Sequence, residues 1–109
     1  MPYEYTKCKV IRVIDGDTVR VDVDLGCDTH VNLTLRLAGI DAPEMGTPEG
    51  VAAKAYLEAV IGSPVTVRTI KDRREKFGRY LAYIETRPAG EDIATALIEA
   101  GHAVRWPAQ

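Results

Sequence analysis

The sequence predicts a mainly β chain with helices, an α+β arrangement closing as a five-stranded OB-type Greek-key barrel with a helix between its third and fourth strands and a short C-terminal helix. Three observations carry this. Two segments alternate apolar and polar residues with the period of a half-buried strand. An Asp-Gly pair, a strong signal for a tight hairpin, joins the first two strands. The first clear helix start comes only after the third strand, and two more strands follow it, which is the OB order.

Residues 9–14 are β-branched or basic and form the first strand, ending at the turn Asp15-Gly16-Asp17. Residues 18–25 alternate, with Val19, Val21, Val23 and Leu25 on one face against Arg20, Asp22 and Asp24 on the other. A second turn falls near Gly26-Cys27-Asp28. Residues 30–37 alternate again, Val31, Leu33, Leu35 and Leu37 against Asn32, Thr34 and Arg36, so Arg36 points away from the core stripe. Thr47-Pro48-Glu49 supplies an N-cap, a proline at the first helical position and an acid in the first turn. The helix over residues 48–61 should bury Val51, Ala55, Leu57 or Ala59, and Val60, and stop at Gly62-Ser63-Pro64. Residues 65–70 and 80–85 read as the fourth and fifth strands. A helix over residues 92–100 ends at Gly101, a natural C-cap.

With 109 residues and no repeat or linker, residues 1–109 fit one domain around one modest core. No apolar run approaches the roughly 18 residues that cross a bilayer, and MPYEYTKCKV lacks the apolar stretch of a signal peptide. The chain as given therefore reads as soluble, with no membrane partner: cytoplasmic as it stands, secreted if a leader was removed from a longer precursor. A monomer is expected. Cys8 and Cys27 are too few for a disulfide framework and are not spaced as zinc ligands, so two free thiols are expected. A net charge of −2 gives no overall basic field, so a polyanion must be met locally.

Three segments carry charge that local structure does not require. In IDGDT, Asp15 and Gly16 can make the turn and Asp17 can cap it. The calcium loop of an EF-hand is excluded by the spacing of its glycine and final glutamate. In IDAPE, Asp41 and Glu44 have capping-box spacing, but the better helix start lies at Thr47, which leaves both acids in a loop stiffened by Pro43. Carboxylates held this way suit a hard cation, with Asp17 from the hairpin turn as a further ligand. Residues 68–80 hold six basic and two acidic residues, and Arg79 stands where the connection re-enters a strand. There an arginine fork could hold a phosphate. An OB barrel brings these segments together, giving acids for a cation and two arginines for a phosphate.

The motifs VIDGDTV, LRLAGIDAPE and EKFGRYLAYI, in that order, closely resemble the staphylococcal nuclease (thermonuclease) family, and with IATALIEAGHA the resemblance covers residues 8–104. It implies a Ca2+-dependent nuclease on an OB fold that cleaves DNA and RNA with little sequence preference and leaves 3′-phosphates. Carried over by motif, Asp17 and Asp41 resemble the side-chain calcium ligands and the Ala42 carbonyl the backbone ligand. Glu44 resembles the residue that positions or deprotonates the attacking water, and Arg36 and Arg79 the phosphate-binding arginines. Lys76 matches a basic neighbour of the nucleotide, and Phe77 stands where a tyrosine is common, keeping stacking but losing a hydrogen bond. Asp15 reads equally as orienting a calcium-bound water or as a turn residue. Trp106 offers a stacking surface or ordinary packing. His30 and His102 match no family site and read as surface or core-edge residues. The competing class is a non-catalytic OB-fold nucleic-acid-binding module; the joint presence of Asp17, Arg36, Asp41, Glu44 and Arg79 speaks for the enzyme.

Overall fold

In the computed structural model the described residues are 3–62, 64–74, 79–86 and 91–105, with residues 3, 71–74 and 91 described by backbone alone. Strand β1 (Tyr3–Asp15) pairs antiparallel with β2 (Thr18–Gly26), and β2 with β3 (Thr29–Leu37). After the two-residue β4 (Ile40–Asp41) and helix α1 (Pro48–Val60), β5 (Val65–Arg74) returns to the other edge of β1 and pairs with β6 (Tyr80–Thr86). Parallel pairing of β3 with β6, from Leu35↔Tyr80 to Leu37↔Ala82, closes the five-stranded barrel. The fold expectation is met. Two-residue β7 (Glu91–Asp92) pairs antiparallel with the end of β6, helix α2 (Ile93–Glu99) follows, and β8 (Val104–Arg105) pairs with β4.

The alternation read in the sequence fills the barrel at Val19, Val21, Val23, Leu35 and Leu37, but Leu25 and Val31, at the far end of the same stripe, lie beyond the core and are exposed. Val19, Val21, Val23, Leu35, Leu37, Val65, Val67 and Ile84 are wholly buried, each side chain of this kind contributing about 1.5–3 kcal/mol relative to exposure. Cys8 joins this core, and Cys27 is exposed; both are free thiols. Strand β5 runs four residues beyond the expected 65–70, because Arg74 pairs with Tyr80 of β6 after a register shift. Part of the basic segment is therefore strand backbone.

Helix α1 starts as expected, with Thr47 Oγ1 accepting the Gly50 N–H at 3.0 Å. Its buried face meets the expected one only at Leu57 and, partly buried against the core, Val60. Gly50, Ala53 and Leu57 face the core, with Ile61 one turn on, whereas Val51 is 53% exposed and Ala55 and Ala59 are also outside. The cause is close approach on small residues: a Cβ on Gly16 would lie 2.8 Å from the Cβ atoms of both Ala42 and Ala53. Apolar residues around most of the helix left its orientation undetermined by pattern. Helix α2 ends as expected in a Schellman arrangement, Gly101 taking φ +81° while its N–H donates to the Ile98 carbonyl and that of His102 to Leu97.

Candidate active site

The turn between β1 and β2 consists of Gly16 and Asp17, both buried. Asp17 is only 7% exposed. Its N–H donates to Asp15 Oδ1 at 3.0 Å, an Asx-type contact that gives Asp15 a turn role. Thr18 Oγ1 donates to Asp17 Oδ1 at 3.1 Å, and the Ala42 N–H donates to Oδ2 at 3.0 Å. The Leu37 N–H donates to the Asp17 carbonyl at 2.8 Å, tying the turn to the end of β3. Burial, then the neighbouring Asp15 side chain, push the Asp17 carboxyl above the usual carboxylate range against the pull of the Ala42 amide and Arg36.

Arg36 lies opposite Thr18 in the β2–β3 ladder. Its Nη1 donates to the carbonyls of Leu37 at 3.1 Å and Ile40 at 3.0 Å, so the side chain braces the β3–β4 connection. Its Nη2 lies 3.1 Å from Asp41 Oδ1 and 3.4 Å from Asp17 Oδ2. One guanidinium nitrogen thus faces two carboxylates from separate segments. The arginine is enclosed at 13% side-chain exposure, while Asp41 is open at 53%. Arg79, half-buried beside the first residue of β6, donates through Nη1 to Thr18 Oγ1 at 3.1 Å. The parallel pairing of β3 and β6 brings it there. A continuous polar chain results: Arg79, Thr18, Asp17, Arg36, Asp41.

Glu44 is exposed, and among the described residues its carboxylate makes no hydrogen bond to this chain. Its backbone is what the fold holds. The Glu44 carbonyl accepts from the Thr47 N–H at 3.1 Å and from Thr47 Oγ1 at 2.7 Å. Gly50 lets the first turn of α1 press on the same peptide, since a Cβ there would overlap the Glu44 carbonyl. The structure therefore brings together Asp17, Arg36, Asp41, Ala42 and Arg79, and places Glu44 on a fixed backbone three residues beyond Asp41. Lys76, Phe77 and Trp106 lie outside the described residues.

Sequence reasoning missed Gly16, Thr18 and Gly50 as the residues that seat this network. A glycine three residues into a helix costs propensity, which was the available signal of a close approach. His30 is exposed and paired with Asp22 at 2.9 Å, and His102 lies against the Tyr56 ring at 4.8 Å between centroids, so both keep the surface and core-edge places expected of them.

Among the described residues no three His, Cys, Asp or Glu side chains form a group able to hold a metal. Two carboxylates, Asp17 and Asp41, converge on one positive nitrogen, and this all-oxygen pair fits a hard cation completed by backbone oxygen and water. No described helix is long and apolar enough to cross a membrane.

Residues 34–108 match the family described as Staphylococcal nuclease homologue. An uncharacterized endonuclease of Escherichia coli O157:H7 is 31% identical over 96 residues, covering 87% of this chain and 58% of the relative. The thermonuclease of Staphylococcus hyicus is 35% identical over 83 residues, covering 70% of this chain and 46% of its own. Endonuclease Htp3 of Saprolegnia parasitica is 32% identical over 113 residues, covering 87% and 53%. The chain spans about half the length of these relatives.

Proposed function

Because this chain belongs to the staphylococcal nuclease family, we propose that it is a Ca2+-dependent endonuclease, hydrolysing phosphodiester bonds of DNA and RNA with little sequence preference and leaving 3′-phosphates. Residues 1–109 act as one domain and as a monomer in this reading. The observation that carries it is the placement of Arg36 Nη2 against both Asp17 and Asp41, with Arg79 joined to the same network through Thr18.

Asp17, Asp41 and the Ala42 carbonyl would hold the cation, which supplies charge neutralisation at the scissile phosphate. The side chains of this protein do the rest. Arg79 offers its planar fork to non-bridging phosphate oxygens, stabilising charge that grows as the phosphorus becomes five-coordinate. Arg36 has both Nη1 contacts committed to carbonyls, so Nε and Nη2 are what it can turn to a phosphate, the latter by exchange with the two acids. Glu44, exposed on a backbone pinned by Thr47, orients the attacking water and accepts its proton. The water oxygen bonds to phosphorus as the bond from phosphorus to the 5′-oxygen breaks; the 5′-oxygen leaves as a hydroxyl with a proton from solvent, and the phosphate stays on the 3′-oxygen.

The test is degradation of single-stranded DNA and RNA in calcium, in magnesium and in excess chelator, with a Glu44→Gln chain beside each. Cleavage confined to calcium and reduced about 10²- to 10⁴-fold in the variant, with 3′-phosphate ends, supports the reading. Intact nucleic acid throughout, with a folded protein, would favour the binding module.

A further inference from the structure

We infer that Arg20, steadied by Thr34 and flanked by Arg12, is a second phosphate subsite that takes the phosphate next to the scissile one in a single strand; this rests on the nuclease reading above.

The outer face of β2 and β3 is laid out in rows by their register. Thr18 pairs with Arg36, and Arg20 with Thr34. Arg20 therefore sits two residues along the strand from the Thr18–Arg36 row, about 6.4–6.8 Å away and on the same face. That distance is close to one step of an extended nucleotide chain, so a strand with one phosphate at Arg36 and Arg79 can set its neighbour against Arg20. Strands two and three form the face through which OB folds take oligonucleotides.

Arg20 is built to stay in place. It is half-buried, and its Nη1 donates to Thr34 Oγ1 at 2.8 Å, which uses one of five N–H donors. Across the β1–β2 ladder it faces exposed Arg12. Like charges directly opposite in a sheet are unfavourable, and among the described residues neither arginine forms an ion pair with a carboxylate. Arg68, by contrast, is neutralised by Glu4 and Glu85. A polyanion relieves the Arg12–Arg20 repulsion. The next rows bring in carboxylates, Asp22 between Lys9 and Asn32 and Asp24 opposite His30, so the run of arginines without acids ends after this one added phosphate.

Binding of a fluorescein-labelled octathymidylate is titrated in chelator at several NaCl concentrations, for wild type, Arg20→Ala and Arg20→Lys. Cleavage of d(TpT), which has only the scissile phosphate, is compared in calcium with cleavage of d(TpTpT). Arg20→Ala should weaken oligonucleotide binding about three- to tenfold and flatten the salt dependence by about 0.7 in log–log slope. Arg20→Lys should restore the slope. Kinetics on d(TpT) should be unchanged in Arg20→Ala while KM for d(TpTpT) rises, and its melting temperature should not fall. Unchanged binding and slope, or equal loss on both substrates, would overturn the subsite. A wild type that binds but does not cleave would defeat the nuclease reading alone, with the titration still deciding Arg20; one that cleaves in calcium but does not bind in chelator would overturn the subsite alone, and one that does neither would defeat both.

Discussion

At one end of β2 the turn Gly16-Asp17 is buried, and at the other the turn Cys27-Asp28 stands in solvent, although both are two-residue hairpin connections. The exposed turn takes its shape from backbone conformation: Gly26, Cys27 and Asp28 all have positive φ. The buried one needs no left-handed residue, and its glycine is there because Ala42 and Ala53 leave no room for a Cβ. The two ends also differ in charge. Asp17 is held under cover at the cost of a raised pKa, inside a network of arginines and amides, while Asp24 merely bonds the nearby Gly26 N–H. A surface depression of about 450 Å³ lies at the exposed end beside Asp24, Asp28 and His30. Volume points to one end of the strand and chemistry to the other. A carboxylate kept buried against its own desolvation marks the working end better than an open hollow does.

The contrast breaks most severely through Arg79. Arg79→Ala should lower phosphodiester cleavage about 10²- to 10³-fold, whereas His30→Ala at the far turn should change it less than about twofold; comparable losses would erase the distinction. The arginines themselves should separate. Arg79→Lys should reduce rate with calcium binding intact, while Arg36→Lys should disturb both, because Arg36 also braces the carbonyls of Leu37 and Ile40. Glycine substitutions sharpen the point at smaller cost. Gly16→Ala should destabilise by about 1–3 kcal/mol through overpacking and lose cleavage even where folded. Gly26→Ala, with open space around its Cβ but φ +87°, should cost about 1–2 kcal/mol and leave the rate of the folded protein alone; thermal melts beside the cleavage assay read both.

Smaller effects follow from titration. The folded Asp17 pKa is raised, so ionising it costs stability, and the wild type is relatively better off at low pH than at neutrality. In chelator, Asp17→Asn should melt above wild type at pH 7, and the gap should close as pH falls through the raised pKa toward the unfolded carboxylate value of about 3.9. A gap that widens on acidification would reverse the sign. Least consequential is thiol chemistry. Cys8, its pKa pushed up to about 11 by burial, should resist alkylation until the protein unfolds, leaving Cys27 as the one rapidly labelled thiol.

Much of this was readable in advance because strand alternation and motif chemistry are local. Val19, Val21 and Val23 had to face one way together, and the acids and arginines of the three motifs stood out against their structural needs. The remainder depended on partners distant in sequence. Strands β4, β7 and β8 have two residues each and no period to read. The extension of β5 to Arg74 exists because Tyr80 is its partner. The orientation of α1 follows from Gly16, on a different element. Arg36 could be seen to leave the core, but its enclosure between two acids and two carbonyls required the β3–β4 turn to be built.

Calorimetric titration of calcium into the wild-type, Asp41→Asn and Asp24→Asn chains distinguishes the two ends most directly. Binding heat in the wild type, retained in Asp24→Asn and weakened or lost in Asp41→Asn, is the predicted result. A titration left unchanged by Asp41→Asn, or abolished by Asp24→Asn, would contradict the assignment of the buried turn and the β4 loop as the cation-holding end.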